Sequence, residues 1–220
     1  MRKKANLLIV LILCGLLIFT ACAPKNIGEA KAKEAGLALI SRAFGANETE
    51  AEVTYRETAD STYVNGEKVQ YGTEEPVRAY SVSIARGNGE NPLYYAEVNA
   101  ATGFAYRAEK SDNLLSEMTA EQQKQAEALS KIDISDEAYQ KTLNESSSAD
   151  VATDWVKEKF HPGIPVIAAL ENGNITDNVM APRVWLEYTI VFEDGAVYLV
   201  TLSWPTMEVQ QVSILSQSVQ

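Results

Sequence analysis

The stretch that decides the fold is VWLEYTIVFEDGAVYLVTLS, residues 184–203. Apolar side chains alternate with others on both sides of Glu193-Asp194-Gly195. This alternation predicts two half-buried β-strands, and Asp-Gly is typical of a tight hairpin turn because glycine tolerates a positive φ. Residues 184–203 therefore predict an antiparallel β-hairpin.

The segments around this hairpin complete a unit of one helix followed by strands. Further strands are predicted at Val166–Leu170 and Met207–Ile214. Upstream, Ser147 or Ser148 can cap a helix on which Ala152, Val156 and Phe160 share a face, and His161-Pro162-Gly163 ends it. Residues 147–220 are therefore predicted to pack a helix on an antiparallel sheet.

The first half of the chain shows the same order. Asn26 is predicted to be the N-cap of a helix, with Glu29 three residues later, and the spacing of Leu37, Ile40 and Phe44 predicts an amphipathic helix that ends near Gly45. Strands are expected on both sides of Asn65-Gly66 and then at Tyr80–Ile84, Tyr94–Val98 and Phe104–Ala108. Residues 27–110 therefore predict a first module of the same class.

A segment rich in Glu, Gln, Lys, Ala and Ser separates the two halves and predicts a helical linker at 111–146, with Thr119 as an N-cap. Aligning Tyr94–Val98 with Tyr198–Leu202 also brings Thr102 opposite Thr206. This weak self-similarity suggests two copies of one supersecondary unit. The predicted fold is α+β, with two small modules joined by a helical linker.

The N-terminus is typical of an export signal. Arg2, Lys3 and Lys4 precede an uncharged apolar run over residues 7–21, which is too short to span about 30 Å of hydrocarbon as a helix. Phe19-Thr20-Ala21-Cys22 resembles the bacterial lipobox, with Phe in place of the usual Leu. We predict a signal peptide at 1–21, lipidation of Cys22 and a short tether at 22–26.

An ordinary buried thiol or a retained N-terminal anchor is the alternative for Cys22. Cys14 lies inside the apolar run and is a poor competing site. Removal of the signal leaves 16 basic and 30 acidic residues, a net charge of about −14. Such a surface should repel nucleic acid and anionic lipid, so the lipid is expected to hold an otherwise soluble body at the outer face of the cell membrane.

Few residues in the mature chain suit catalysis or metal binding. His161 is the single histidine and is interpreted as a surface cap at a helix end. Glu193-Asp194 is interpreted as part of a turn, and no stretch has the spacing of an EF-hand, although the sequence leaves calcium binding to the acidic surface open. We predict no enzyme activity, no cofactor and no metal site.

Aromatic side chains offer the one candidate contact site. Trp155, Trp185 and Trp204 all lie in the second half, where a small core that needs large side chains is the simplest interpretation. Trp204 differs because it precedes Pro205 in a predicted turn. It is the candidate partner contact.

The chain resembles the PepSY family, small extracytoplasmic modules in which a helix packs on an antiparallel sheet. The resemblance is carried by residues 35–45 of the first helix, by Tyr80–Ile84 and by 95–103, which ends in the family's Thr-Gly turn. The second half is a more distant copy, whose turn at 203–207 lacks the glycine. The resemblance implies a binding module that restrains peptidases and has no catalytic residues.

These observations favour a membrane-tethered lipoprotein that binds an envelope protein or peptide and restrains a peptidase. The alternative is a structural or assembly lipoprotein of the envelope. A sheet edge left open in either module would favour the first hypothesis, because an extended peptide can add to it as a further strand. The sequence specifies neither the partner nor the oligomeric state nor the type of envelope.

Overall fold

The computed structural model describes residues 26–58, 61–64, 67–70, 77–85, 92–133, 135–177 and 183–217. Over these residues the chain forms four α-helices and ten strands. The helices are α1 (Glu29–Phe44), α2 (Ala120–Leu129), α3 (Glu137–Ser146) and α4 (Ser148–Lys159). The strands are β1 (Glu52–Thr58), β2 (Ser61–Val64), β3 (Glu67–Gln70), β4 (Val77–Ile84), β5 (Tyr94–Asn99), β6 (Ala105–Lys110), β7 (Val166–Asp177), β8 (Arg183–Phe192), β9 (Val197–Trp204) and β10 (Glu208–Ser216). The predicted α+β class is confirmed.

Eight strands form one antiparallel sheet in the order β1-β4-β5-β6-β10-β9-β8-β7. The other two, β2 and β3, pair on both sides of Asn65-Gly66, as predicted, although these two turn residues lie outside the described part. The strand order places α1 and its strands in one half of the sheet and α4 and its strands in the other. The last strands of the two halves, β6 and β10, pair at the centre.

Both helices that open the halves pack on the same face of this sheet. One row of cross-strand partners crosses all eight strands, and its members are Val53, Val82, Ala96, Ala108, Val212, Val200, Tyr188 and Glu171. The backbone of α1 approaches this row at Gly36, next to Val82, and α4 meets it where the hydroxyls of Ser148 and Tyr188 lie 2.7 Å apart. The core therefore lies between one helical layer and one sheet face.

The turns before the last strand of each half share one backbone hydrogen bond and one residue with a positive φ. The N–H of Gly103 donates to the carbonyl of Asn99, and the N–H of Met207 donates to the carbonyl of Ser203. Gly103 has a φ of 79° and Met207 a φ of 56°. Met207 therefore has the left-handed conformation that Gly103 has in the first half. This conformation is unfavourable for most residues other than glycine.

The linker helices contribute to the core of the second half. Ala126 and Leu129 of α2 and Tyr139 and Leu143 of α3 are all buried. α2 contacts β8 and α3 contacts α4. Residues 120–146 therefore form part of the helical layer over the second half.

Candidate functional site

Of the two site residues predicted from the sequence, one can be located. Cys22 lies outside the described residues. Trp204 is the last residue of β9 rather than part of a turn, so its predicted position is corrected by the structure. Its side chain is 6% exposed and belongs to the core, because the last residue of a strand can still face the helices. Such a residue offers a partner little contact area.

The structure brings together a histidine, a carboxylate and a tyrosine that are distant in sequence. Nε2 of His161 lies 2.7 Å from Oδ2 of Asp194, and its Nδ1 lies 3.3 Å from the hydroxyl of Tyr198. The imidazole also packs edge-on against the ring of Phe192, with the centroids 4.7 Å apart. The interpretation of His161 as a simple helix cap is therefore incomplete, since it ties the end of α4 to the β8–β9 turn.

This cluster lacks an accessible nucleophile. Tyr198 is 4% exposed. Burial raises the pKa of its hydroxyl, with Arg42 acting in the opposite direction and Asp194 in the same one. A neutral, buried hydroxyl is a poor nucleophile. In the described part of the chain, no three His, Cys, Asp or Glu side chains are grouped so as to hold a metal ion.

The two halves meet through an aromatic belt formed by Tyr94, Phe44, Trp155, Phe160 and Tyr198. Ring centroids of successive members lie 5.5–6.3 Å apart. Such spacings suit favourable aromatic contacts. The belt runs from β5 of the first half to β9 of the second, so it holds the helical layer together across the centre of the sheet.

A cleft of about 530 Å³ opens beside the aromatic belt, between the ends of α1 and α4. Its walls include Phe44 and Trp155, and its polar groups include Lys110 and Glu208, whose side chains form an ion pair at 3.3 Å. Glu208 also accepts a hydrogen bond from the N–H of Ser116. Burial acts to raise the pKa of Glu208, but the hydrogen bonds from Ser116 and Lys110 outweigh it and lower that pKa. The cleft's carboxylate is thus already paired.

The two edges of the sheet differ in chemistry. β1 carries charged, exposed side chains at Glu52, Arg56 and Glu57, and charge is one way in which proteins protect an edge strand. β7 begins with five uncharged residues, 166–170, in which Ile167 is 65% exposed and Leu170 is 56% exposed. Within the described residues, β7 pairs with β8 alone.

The register of β7 leaves a regular segment in its first half. Irregularities fall between Val166 and Ala168 and between Glu171 and Gly173, and the residues between them pair in uninterrupted register with β8. Bulges disrupt strand pairing locally. Residues 168–171 therefore form the part of this edge on which a further strand can align.

Comparisons with known proteins add little. No family model matches the chain, and no curated protein matches it. Among solved structures, it is similar to the Bacillus megaterium YpeB C-terminal domain, with 11% identity and a TM-score of 0.41 over 89% of this chain and 68% of that one. A likeness of this degree carries no functional information. No described helix has the length and apolar composition needed to cross a membrane.

Proposed function

We propose that this chain is a lipid-anchored, extracytoplasmic binding protein that captures an extended polypeptide segment along the edge of β7. The observation that carries the proposal is the uncharged run 166–170 at the end of an eight-stranded sheet. An edge strand presents a row of backbone N–H and C=O groups, and an extended segment can satisfy them by pairing as a ninth strand.

The exposed side chains of β7 provide specificity for an apolar partner. Ile167 and Leu170 would be covered by the added segment, and full burial of such a side chain contributes about 1.5–3 kcal/mol. Beyond them, the amide of Asn172 donates hydrogen bonds to Thr189 at 2.7 Å and to Glu187 at 3.3 Å. The captured segment is therefore apolar at the end that lies beside residues 166–170.

The anchor and the location of the protein rest on the sequence. An uncharged apolar run followed by Thr20-Ala21-Cys22 supports export and lipidation of Cys22 at the outer face of the cell membrane. The resemblance to PepSY modules supports a peptidase as the partner whose segment is held. The structural or assembly lipoprotein is the second hypothesis, and the identity of the captured partner distinguishes the two.

Photocrosslinking followed by hydrogen exchange tests the capture. A photoreactive residue at Ile167, with a matched one at Tyr55 on β1, is introduced into the full chain in cells, and the crosslinked segment is mapped by mass spectrometry. That segment is then synthesised as a peptide and added to the purified protein. Strand addition is expected to slow amide exchange within residues 166–171 and to leave β1 unchanged, because only the β7 amides gain acceptors.

An Ile167→Lys variant provides the matched control. A lysine on an edge strand disfavours addition of a further strand, so peptide binding should weaken at least tenfold while the melting temperature stays within a few degrees. Crosslinks of equal yield from Tyr55 and Ile167, or binding without slower exchange in β7, would show that the edge is not the capture site.

A further inference from the structure

The beginning of the described chain is fixed to the sheet. Oδ1 of Asn26 accepts hydrogen bonds from the hydroxyl of Tyr80 at 2.7 Å and from the N–H of Gly28 at 2.9 Å. The N–H of Ile27 donates to the carbonyl of Ala100 at 2.9 Å. Tyr80 is itself buried in the core. Asn26 is therefore held against the folded body rather than hanging from a free tail.

Only a short piece of chain separates this point from the proposed anchor. Residues 23–25 lie between Cys22 and Asn26, and four fully extended steps of about 3.6 Å reach about 14 Å. A compact body of this size has a radius of gyration of about 16 Å, so it is more than twice as wide as that reach. A lipid on Cys22 can then bring only one end of the body close to the membrane.

The surface around that end is formed by Ile27, Lys31, Ala38, Ala101 and Thr102, and we call it the anchor surface. It contains a groove of about 470 Å³ between α1 and the turn after β5. The groove is lined mainly by small or apolar residues, with Lys31 and Glu34 as its charged members. Both Ala38 and Ala101 are exposed. An apolar groove beside the Lys31 ammonium group is suited to the boundary between lipid headgroups and acyl chains.

We propose that the anchor surface faces and contacts the phospholipid bilayer, and that the short tether fixes the protein in this orientation. The inference rests on the proposed lipid at Cys22. The turn that contributes Ala101 and Thr102 joins β5 to β6, and the other end of this hairpin, where Tyr94 pairs with Lys110, lies about 20 Å away along the strands. That other end, with exposed Asn113 just after β6, therefore stands away from the membrane.

Depth measurements on the lipidated full chain test the orientation. The mature chain has no cysteine besides Cys22, whose sulfur is consumed by the lipid, so Ala101→Cys and Asn113→Cys each provide a single labelling site. Each variant is labelled with a fluorophore and placed in phosphatidylcholine vesicles that contain a lipid with a nitroxide on its headgroup. Quenching at position 101 is expected to exceed that at position 113 several-fold.

A longer tether provides the control. Ten Gly/Ser residues inserted between Lys25 and Asn26 add a root-mean-square reach of about 17 Å, so the two labels should then be quenched to similar extents. Equal quenching without the insertion would overturn the orientation, and a difference that survives the insertion would overturn control by the tether. Fatty-acid labelling of the same samples separates the two proposals: absence of label on Cys22 would refute the anchor, and this inference with it, whereas acylated protein with equal quenching refutes the orientation alone.

Discussion

At the scale of single residues, Trp204 stabilises the core at the end of β9. Its side chain is 6% exposed, so Trp204→Ala should lower the free energy of unfolding by about 3–5 kcal/mol through lost burial and a cavity. Tyr55→Ala on β1 serves as the control, because Tyr55 is 39% exposed and its loss should have a much smaller effect. Urea unfolding measures both. A loss below about 1 kcal/mol for Trp204→Ala would return this side chain to the candidates for partner contact.

Gly36 permits the close approach of α1 to the sheet. In an exposed helix, Gly→Ala stabilises by about 1 kcal/mol, but a Cβ at position 36 would lie 2.7 Å from Cβ and Cγ2 of Val82. Gly36→Ala should therefore lower the free energy of unfolding by about 1–3 kcal/mol through overpacking.

The control for Gly36 is a background in which Val82→Ala has removed the obstructing methyl groups. In that background, Gly36→Ala should be neutral or stabilising, and a double-mutant cycle measured by urea unfolding gives the coupling. Equal effects of Gly36→Ala in both backgrounds would show that some other contact limits the approach.

Ionisation of Glu208 should make the free energy of unfolding depend on pH in the acid range. Its pKa is lowered in the folded protein, so its contribution is present above the ordinary value of about 4.5 and is lost as the pH falls through the lowered value. The free energy of unfolding should therefore fall less between about pH 5 and pH 3 in Glu208→Gln than in the parent. Exposed Glu121 provides the control substitution, Glu121→Gln. An unchanged slope in Glu208→Gln would show that the pairing with Lys110 and Ser116 does not hold in solution.

At the scale of elements, the end of α1 caps the end of α4. Nε of Arg42 donates to the carbonyl of Lys159 at 2.7 Å, and Nη2 donates to that of Phe160 at 3.1 Å. The guanidinium also lies 4.8 Å from the centroid of the Phe160 ring. Because the last carbonyls of a helix have no partner within the helix, a side chain from the other half of the protein satisfies them here.

Removal of this cap should weaken the joint between the halves. We expect Arg42→Leu to lower the free energy of unfolding by about 1.5–3 kcal/mol. The stability of Arg42→Lys should lie between those of the parent and Arg42→Leu, because lysine keeps the charge but not the planar guanidinium. Lys124→Leu, on the exposed face of α2, is the control. Thermal melts report the differences, and equal melting temperatures for the Arg42 and Lys124 variants would deny the cap an energetic role.

Local signals at element ends were predictable from the sequence, and distant pairings were not. Thr119 caps α2 through a reciprocal capping box with Gln122, as its spacing predicts. The prediction of Asn26 as the cap of α1 is wrong, because the cap position is Gly28 and the Asn26 side chain accepts from Tyr80, 54 residues away. His161 and Asp194 are likewise in contact although 33 residues separate them in sequence. No local sequence pattern indicates either of these two contacts.

The edge of β7 that we propose as the capture site combines a strand that the sequence predicts with a position in the sheet that it does not. The uncharged run 166–170 is visible in the sequence as a strand. Its place at the end of the sheet follows from the pairing of β6 with β10, which puts β7 outermost. Each half could equally well have formed its own sheet, so the alternation of side chains leaves this arrangement undetermined.

At the scale of the whole molecule, the packing indicates where the chain can be divided. The predicted modules at 27–110 and 147–220 leave out α2 and α3, which bury Leu129, Tyr139 and other residues over the second half. A fragment of residues 111–220 should therefore be more stable than one of 146–220, and 26–110 should fold alone around its own part of the core. Amide dispersion in NMR spectra and thermal melts measure this. If both 26–110 and 111–220 are unstructured while the full chain folds, the molecule is one cooperative unit.

The central strand pair has a consequence for the ancestry of the chain. The alignment that sets Thr102 opposite Thr206 also sets Ala108 opposite Val212, and these two residues face each other across the β6–β10 pair. Equivalent positions of two copies face each other only around a two-fold axis. A single ancestral unit would thus have carried a self-complementary edge and formed a symmetric dimer. Gene duplication with fusion would convert that dimer into one polypeptide and free the two outer edges to diverge, one charged and one apolar.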